Sequence, residues 1–335
     1  MRIVVRVPNW IGDVMFALPA LESLKANYPG AEIWLAGAPW VRDLLAGEAW
    51  GERVLPLGPA KGLGGLRTAA RDLRERGFDL GLLLTNSFGS AVLFALAKIP
   101  ERWGAKRDGR GRLLTKGPRA EDSTPPLHMV RYYLRLLEGL GLRTVPPEIR
   151  LTVTAGERER ARTDLEALGI SSDRPLVILN PGAAYGPAKR LPAARFAELG
   201  RLLQERKGAD IAVTGAASDA GLAAEIGAAL ARKPADLTGR TNLRGLLGVM
   251  SRAAVFVSND TGPMHMANAL RVPVVGVFGP TDPRATAPFH PPAAVLKKED
   301  VPCWPCFYRE CPYDHQCMTA VTAEEAFAAA AELLR

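Results

Sequence analysis

Residues 255–278 read VFVSNDTGPMHMANALRVPVVGVF. Stretches 255–258 and 274–278 are short, valine-rich apolar runs of the kind that form strands buried on both faces. Between them 264–269 reads as a helix, introduced by the turn formers Asn259, Asp260, Thr261, Gly262 and Pro263. A strand, a helix and a strand in so few residues form a crossover unit, and such a crossover joins parallel strands. The chain is therefore predicted to be α/β.

The same alternation extends outward. Strands are predicted at 176–180 and 211–214, with helices at 193–206, 220–231 and 243–251. The first half repeats the scheme, with strands at 3–7, 32–36, 54–57 and 80–85 and helices at 14–27 and 65–76. Two such sets predict two Rossmann-like domains facing each other across a cleft. The strand-to-helix loops at the C-terminal strand ends would line it, where ligands bind in open α/β sheets. The boundary is placed in the polar stretch after residue 150, giving domains 1–156 and 157–335, the second ending in an Ala-rich amphipathic helix at 322–334.

The chain has 335 residues, 47% hydrophobic and 23% charged, which excludes a disordered or fibrous protein. Its net charge of +8 is uneven. Residues 1–150 hold 22 Lys/Arg against 15 Asp/Glu, and residues 151–335 hold 21 against 20. The excess is densest at 98–119, where Arg102, Lys106, Arg107, Arg110 and Arg112 lie. A solvated face, an anionic substrate, an acidic membrane surface and nucleic acid all fit such a run. No stretch approaches the ~18–20 apolar residues of a membrane span. The start MRIVVRVPNWIGD has no apolar signal core, so the expectation is a cytoplasmic protein, with peripheral membrane contact left open.

Three strand-to-helix loops carry chemistry. Pro8-Asn9-Trp10-Ile11-Gly12-Asp13 sets a carboxylate at the start of the first helix. Asp13 reads either as a plain N-cap or as a general base kept ionised by the helix dipole. Residues 180–190, NPGAAYGPAKR, offer Gly182 and Gly186 for close approach and Lys189 and Arg190 for charge. That suits a phosphate, although the spacing is not that of a Walker A loop. In 258–265, SNDTGPMH, the N–H groups of Thr261 and Gly262 suit a diphosphate at a helix N-terminus. Asp260 suits a sugar hydroxyl, since a carboxylate repels phosphate, and His265 reads as a packing histidine. Asp219, at another strand end, reads as a ribose contact or a helix cap.

All four cysteines fall in one segment, C-x2-C-x4-C-x5-C, as Cys303, Cys306, Cys311 and Cys317, with His315 alongside. Zinc or an iron–sulfur centre and two disulfides are open readings, with free thiols the third. Each gives the segment a structural role, pinning the loop before the last helix.

Residues 8–13, 85–91 (TNSFGSA), 181–189 and 259–265 together resemble the bacterial ADP-heptose:lipopolysaccharide heptosyltransferases, glycosyltransferase family 9. The likeness runs from residue 1 to about residue 290 and again in the final helix. Trp10 and the segment Gly186-Pro187-Ala188-Lys189 resemble the type II branch more than type I. The resemblance implies a GT-B fold, with the last helix packing back on the first domain, and an inverting, metal-independent glycosyl transfer. The donor would be ADP-L-glycero-β-D-manno-heptose and the acceptor the anionic, Kdo-bearing inner core of lipid A (heptosyl-Kdo2-lipid A), met at the inner membrane.

The resemblance makes Asp13 the catalytic base and Lys189 the residue that stabilises departing ADP. Asp260 would hold heptose hydroxyls, and Thr261, Gly262 and His265 the diphosphate. Gly182, Ala183, Ala184, Asp219 and Asn242 would complete the donor site. Asn9, Trp10, Asn86 and Ser87 are expected on the acceptor. Arg102, Lys106, Arg107, Arg110 and Arg112 are expected to hold its carboxylates and phosphates. No cofactor is expected in catalysis, and zinc or iron–sulfur at the cysteines would be structural. A nucleotide-sugar epimerase of similar fold and a family 9 transferase for another sugar are the alternatives. Nucleic acid is not an expected partner, because the basic segment contains no reader motif.

Overall fold

Strand β1 (Arg2–Arg6) runs through the middle of a parallel sheet, with Ile3, Val4 and Val5 fully buried. Beside it lie β2 (Glu32–Gly37), β3 (Val54–Pro56), β4 (Leu80–Leu83) and β5 (Glu101–Gly104), in the order β3-β2-β1-β4-β5. Ile3 pairs with Ile33 on one side and Leu80 on the other. Burial on both faces is why β1 and β4 read as unbroken apolar runs. Helices Ile11–Asn27, Gly62–Glu75, Phe88–Leu96 and Met129–Gly139 accompany this sheet. The strand order reverses between β1 and β4, and that switch point is where an open α/β sheet receives a ligand.

The computed structural model describes residues 1–58, 62–119 and 126–334. The chain divides into units 1–150 and 151–335, a few residues before the expected boundary at 156. The helix Ala155–Ala167 belongs wholly to the second unit, opened by a capping box of Thr154 and Glu157.

The second sheet holds β6 (Leu176–Asn180), β7 (Asp210–Val213), β8 (Ala235–Asp236), β9 (Val255–Asn259), β10 (Val274–Phe278) and β11 (Ala293–Lys297). All pairings are parallel, in the order β11-β10-β9-β6-β7-β8, so the switch point lies between β6 and β9. Phe196, Leu199, Leu203 and Ile226 from the helices meet Val177, Leu179, Val257 and Val277 from the strands in one apolar core. Each such side chain stabilises the unit by about 1.5–3 kcal/mol relative to exposure. The last helix, Ala323–Leu333, buries Ala323, Ala326 and Ala330 in this core, against helix Ala193–Lys207 and β9–β11 of its own unit.

Several elements escape the sequence reading, helix Phe88–Leu96 among them. β5 reads ERWG and lies at a sheet edge, β8 has two residues, and β11 is half-exposed. Helix Met129–Gly139 is a strongly amphipathic element with Val130, Tyr133, Leu134 and Leu137 on its buried side. Among the described residues no helix is long and apolar enough to cross a membrane.

Candidate functional site

At the switch point of the second sheet two loops are tied together by buried amides. Asn180, the last residue of β6, donates from Nδ2 to Ser258 Oγ at 3.1 Å and to Thr261 Oγ1 at 3.3 Å. Asn259, the last residue of β9, donates to Pro181 O at 2.8 Å, and its Oδ1 accepts from the N–H of Leu191 at 3.0 Å. These bonds fix the loop carrying Lys189 against the loop carrying Asp260.

Lys189 Nζ lies 2.5 Å from Asp260 Oδ2, with the two side chains only 12% and 5% exposed. Thr281 Oγ1 donates to the same oxygen at 2.7 Å, and His265 Nε2 stands 4.0 Å from Asp260 Oδ1. A pair so shielded from water needs these added bonds to offset its desolvation. His265 thus packs beside the carboxylate. Helix Gly262–Ala269 starts here, with Thr261 as its N-cap but with no side-chain cap bond. A helix end of this kind has N–H groups and a dipole suited to an anion. Gly182 and the buried Ala183 follow Asn180, and Ala184 is exposed.

Asp219 is buried just before helix Ala220–Ala228, to which its side chain makes no cap bond. It accepts from the N–H of Ala216 at 3.0 Å and lies 3.7 Å from Arg190. A Cβ on Gly182 would run into its carboxylate, which explains a glycine at that position better than ligand approach does. Asn242 caps helix Leu243–Met250 by accepting from the N–H of Gly245 at 2.8 Å. It lines a cavity of ≈ 590 Å³ with Glu157, Arg240 and Thr241. Below it Arg244 meets Glu157 at 2.5 Å, and that hydrogen bond holds the Glu157 carboxyl down at about 2.

In the first unit the helix begins three residues earlier than expected, so Asp13 lies inside the first turn of Ile11–Asn27 and Trp10 is the N-cap. Asp13 is therefore not a plain cap. Burial, and secondarily the charge of Asp13, pushes the Tyr133 hydroxyl well above its usual range. One turn along from Asp13, Phe16 meets the His128 ring edge-on at 5.2 Å. His128 Nδ1 accepts from the N–H of Val130 at 3.3 Å and caps helix Met129–Gly139. Tyr132 Oη accepts from Asn86 Nδ2 at 2.7 Å. His128, Tyr132 and Tyr133 were missed in the sequence. The apolar period of 130–137 with a histidine just before it was the available signal.

The acceptor candidates divide. Ser87 caps helix Phe88–Leu96 by accepting from the N–H of Ser90 at 3.3 Å. Asn9 Oδ1 accepts from Arg6 Nη2 at 2.8 Å, and Trp10 is 48% exposed. Arg110 corrects the expectation, because it is fully buried. It donates to Ala105 O at 2.8 Å, to Thr85 O, and to Asn86 Oδ1 at 3.1 Å, and burial lowers its pKa. Arg102 is likewise turned onto the carbonyls of Leu113 at 2.7 Å and Ile99 at 2.6 Å. Both hold the loop after β5 in shape. Arg107 lies 3.4 Å from Asp108, while Lys106 and Arg112 are exposed.

The cysteines are four free thiols lining one cavity of ≈ 480 Å³, with Ala188, Pro280, Tyr308 and His315. Burial, reinforced by the other thiols, pushes Cys317 up to about 11. Among the described residues no group of three or more His, Cys, Asp or Glu side chains forms a ready metal-ion site. The segment is seated on the loop after β10, with the N–H groups of Cys306 and Phe307 both donating to Pro280 O.

Residues 66–316 match the profile of glycosyltransferase family 9 (heptosyltransferase). The chain is 33% identical over 311 residues to lipopolysaccharide heptosyltransferase 2 of Salmonella typhimurium, covering 89% of this chain and 88% of that protein. Among solved structures it resembles ADP-heptose lps heptosyltransferase II of Escherichia coli, with TM-score 0.83 and 30% identity over 100% of this chain and 98% of that one. A family 9 glycosyl transferase from Veillonella parvula gives TM-score 0.85 and 25% identity, covering 99% and 97%.

Proposed function

The chain belongs to glycosyltransferase family 9, the heptosyltransferases, and from that membership we propose that it moves a heptose from ADP-heptose onto the inner core of lipopolysaccharide. Its α/β fold is that of the GT-B enzymes it matches, and the epimerase reading falls away with the family. The observation that carries the proposal is the Lys189–Asp260 pair beside the start of helix Gly262–Ala269, at the second sheet's switch point.

In the proposed reaction Asp13 takes the proton from an acceptor hydroxyl. The oxygen attacks the anomeric carbon of the donor from the face opposite ADP, so configuration inverts. The bond from that carbon to the phosphate oxygen breaks, and its electron pair stays on the diphosphate. Lys189 and the N–H groups of Thr261 and Gly262 hold that growing negative charge, which makes their contribution larger in the transition state than in the ground state. Asp260, fixed by Lys189 and Thr281, retains Oδ1 for sugar hydroxyls. These roles need no metal and no cofactor.

For the acceptor we assign Trp10, Asn86 and the exposed Lys106 and Arg112, with Arg107 beside them, to an anionic Kdo–lipid A core at a membrane surface. The support is their exposure and charge, and the position of Asn86 just past β4 at the first sheet's switch point. Cys303, Cys306, Cys311 and Cys317 are assigned a structural part. Their common lining of one cavity is the support for that part, and elemental analysis with thiol titration separates zinc, an iron–sulfur centre, disulfides and free thiols.

The deciding experiment is turnover of purified protein with ADP-heptose and heptosyl-Kdo2-lipid A, with UDP-sugars as controls. The expected result is acceptor-dependent ADP release and a product heavier by one heptose. Equal turnover with UDP-sugars, or none with ADP-heptose, overturns the assignment.

A further inference from the structure

The cysteine segment reaches the loop that carries Lys189. Tyr185 Oη donates to Phe307 O at 2.7 Å, and the N–H of Ala188 donates to Arg309 O at 3.1 Å. His315 Nε2 and Ala188 O are 2.7 Å apart. Gly186 has no room for a Cβ because the Arg309 carbonyl stands there. The side chain of Arg309 packs against the same ring, Tyr185, as Lys189 does. Its guanidinium carbon is 5.2 Å from the centroid of the Tyr185 ring, and Lys189 Nζ is 5.0 Å from that centroid.

We propose that Arg309 is a second cation for the donor's diphosphate, acting with Lys189. The proposal rests on the reading that the 181–189 loop receives that diphosphate. Three observations lead to it. Lys189 is already engaged by Asp260 at 2.5 Å, so one ammonium cannot balance a diphosphate by itself. Arg190, the neighbouring base, is drawn toward Asp219 at 3.7 Å. Arg309 is exposed, and a guanidinium offers paired donors that match phosphate oxygens. Two cations against one ring raise the positive potential that an anion entering this loop meets. In the sequence Arg309 lies between Cys306 and Cys311, outside every phosphate-type motif.

The test is calorimetric titration of ADP and AMP into wild type, Arg309→Ala, Arg309→Lys and Lys189→Ala. Arg309→Ala is expected to weaken ADP about tenfold, as loss of a charge-assisted bond does. AMP, with one phosphate to offer, loses less, and Arg309→Lys falls between. Thermal stability should hold, because the carbonyl that braces Gly186 and Ala188 survives the substitution. Unchanged ADP affinity in Arg309→Ala, with Lys189→Ala weakened, overturns the role of Arg309 alone. Unchanged affinity in both variants overturns the donor-loop reading as well. A lowered melting temperature with equal losses for ADP and AMP makes Arg309 a structural residue and also overturns the proposal.

Discussion

Lys189 and Asp260 lie 71 residues apart in sequence and meet with Nζ 2.5 Å from Oδ2, nearly out of reach of water. The proposed function joins stability and catalysis in that contact. Lys189→Met leaves a buried carboxylate with Thr281 as its remaining donor, and is expected to cost about 3–5 kcal/mol. The double variant Lys189→Met/Asp260→Asn removes both charges and should recover most of that stability while turnover stays lost. Urea denaturation beside steady-state kinetics reads both. A double variant as unstable as the single one would contradict the pairing.

Asp13 is expected to act in the chemical step and not in donor binding. Asp13→Asn should lower kcat by about 10²–10⁴-fold, the usual contribution of a general base, with ADP affinity kept. Near-normal turnover would remove Asp13 from the mechanism.

The basic segment should behave as two groups. Arg110→Ala strips donors from Ala105 O, Thr85 O and Asn86 Oδ1, and should destabilise the protein by about 2–4 kcal/mol. Lys106→Ala/Arg112→Ala should melt like wild type yet raise the acceptor KM. Melting curves and acceptor titrations distinguish them, and an unchanged acceptor KM returns the exposed pair to an ordinary solvated face.

Glu157 gives a pH prediction. Its carboxyl is held at about 2 in the fold, below the ordinary 4.5, chiefly by the Arg244 hydrogen bond. A depressed carboxylate stabilises the fold fully above pH 4.5, and that stabilisation is lost as pH falls toward 2. Glu157→Gln should therefore be less stable than wild type at pH 7 by about 1–3 kcal/mol, with the gap closing in acid. A gap that does not change between pH 7 and pH 3 would rule the linkage out.

The buried strands of both sheets were legible because runs such as 80–83 and 255–259 have no polar face. The loops at both switch points were legible because glycine, proline and a carboxylate gather where a strand meets a helix, as in Asn259–His265. The rest depended on contacts between distant residues. Nothing in the local spacing of Arg110 separates it from Arg112, yet one is fully buried and the other exposed. Tyr132 meets Asn86 across 46 residues, in a helix whose apolar stripe carries the information only as a period. Asp219 reads from its position as a ribose contact or a helix cap. Its burial beside Gly182 became visible only in three dimensions.

Tyr185 and Ala188 rest on Phe307 and Arg309, which the ribosome adds more than a hundred residues later. A nascent chain can therefore complete β6 and β9 long before the lysine loop has its support. The proposed grip on ADP should consequently be acquired late in synthesis. Nascent chains stopped before Cys303 lack Phe307, Arg309 and the last helix that completes the second core, and should bind ADP poorly, so a half-made enzyme would neither sequester donor nor consume it.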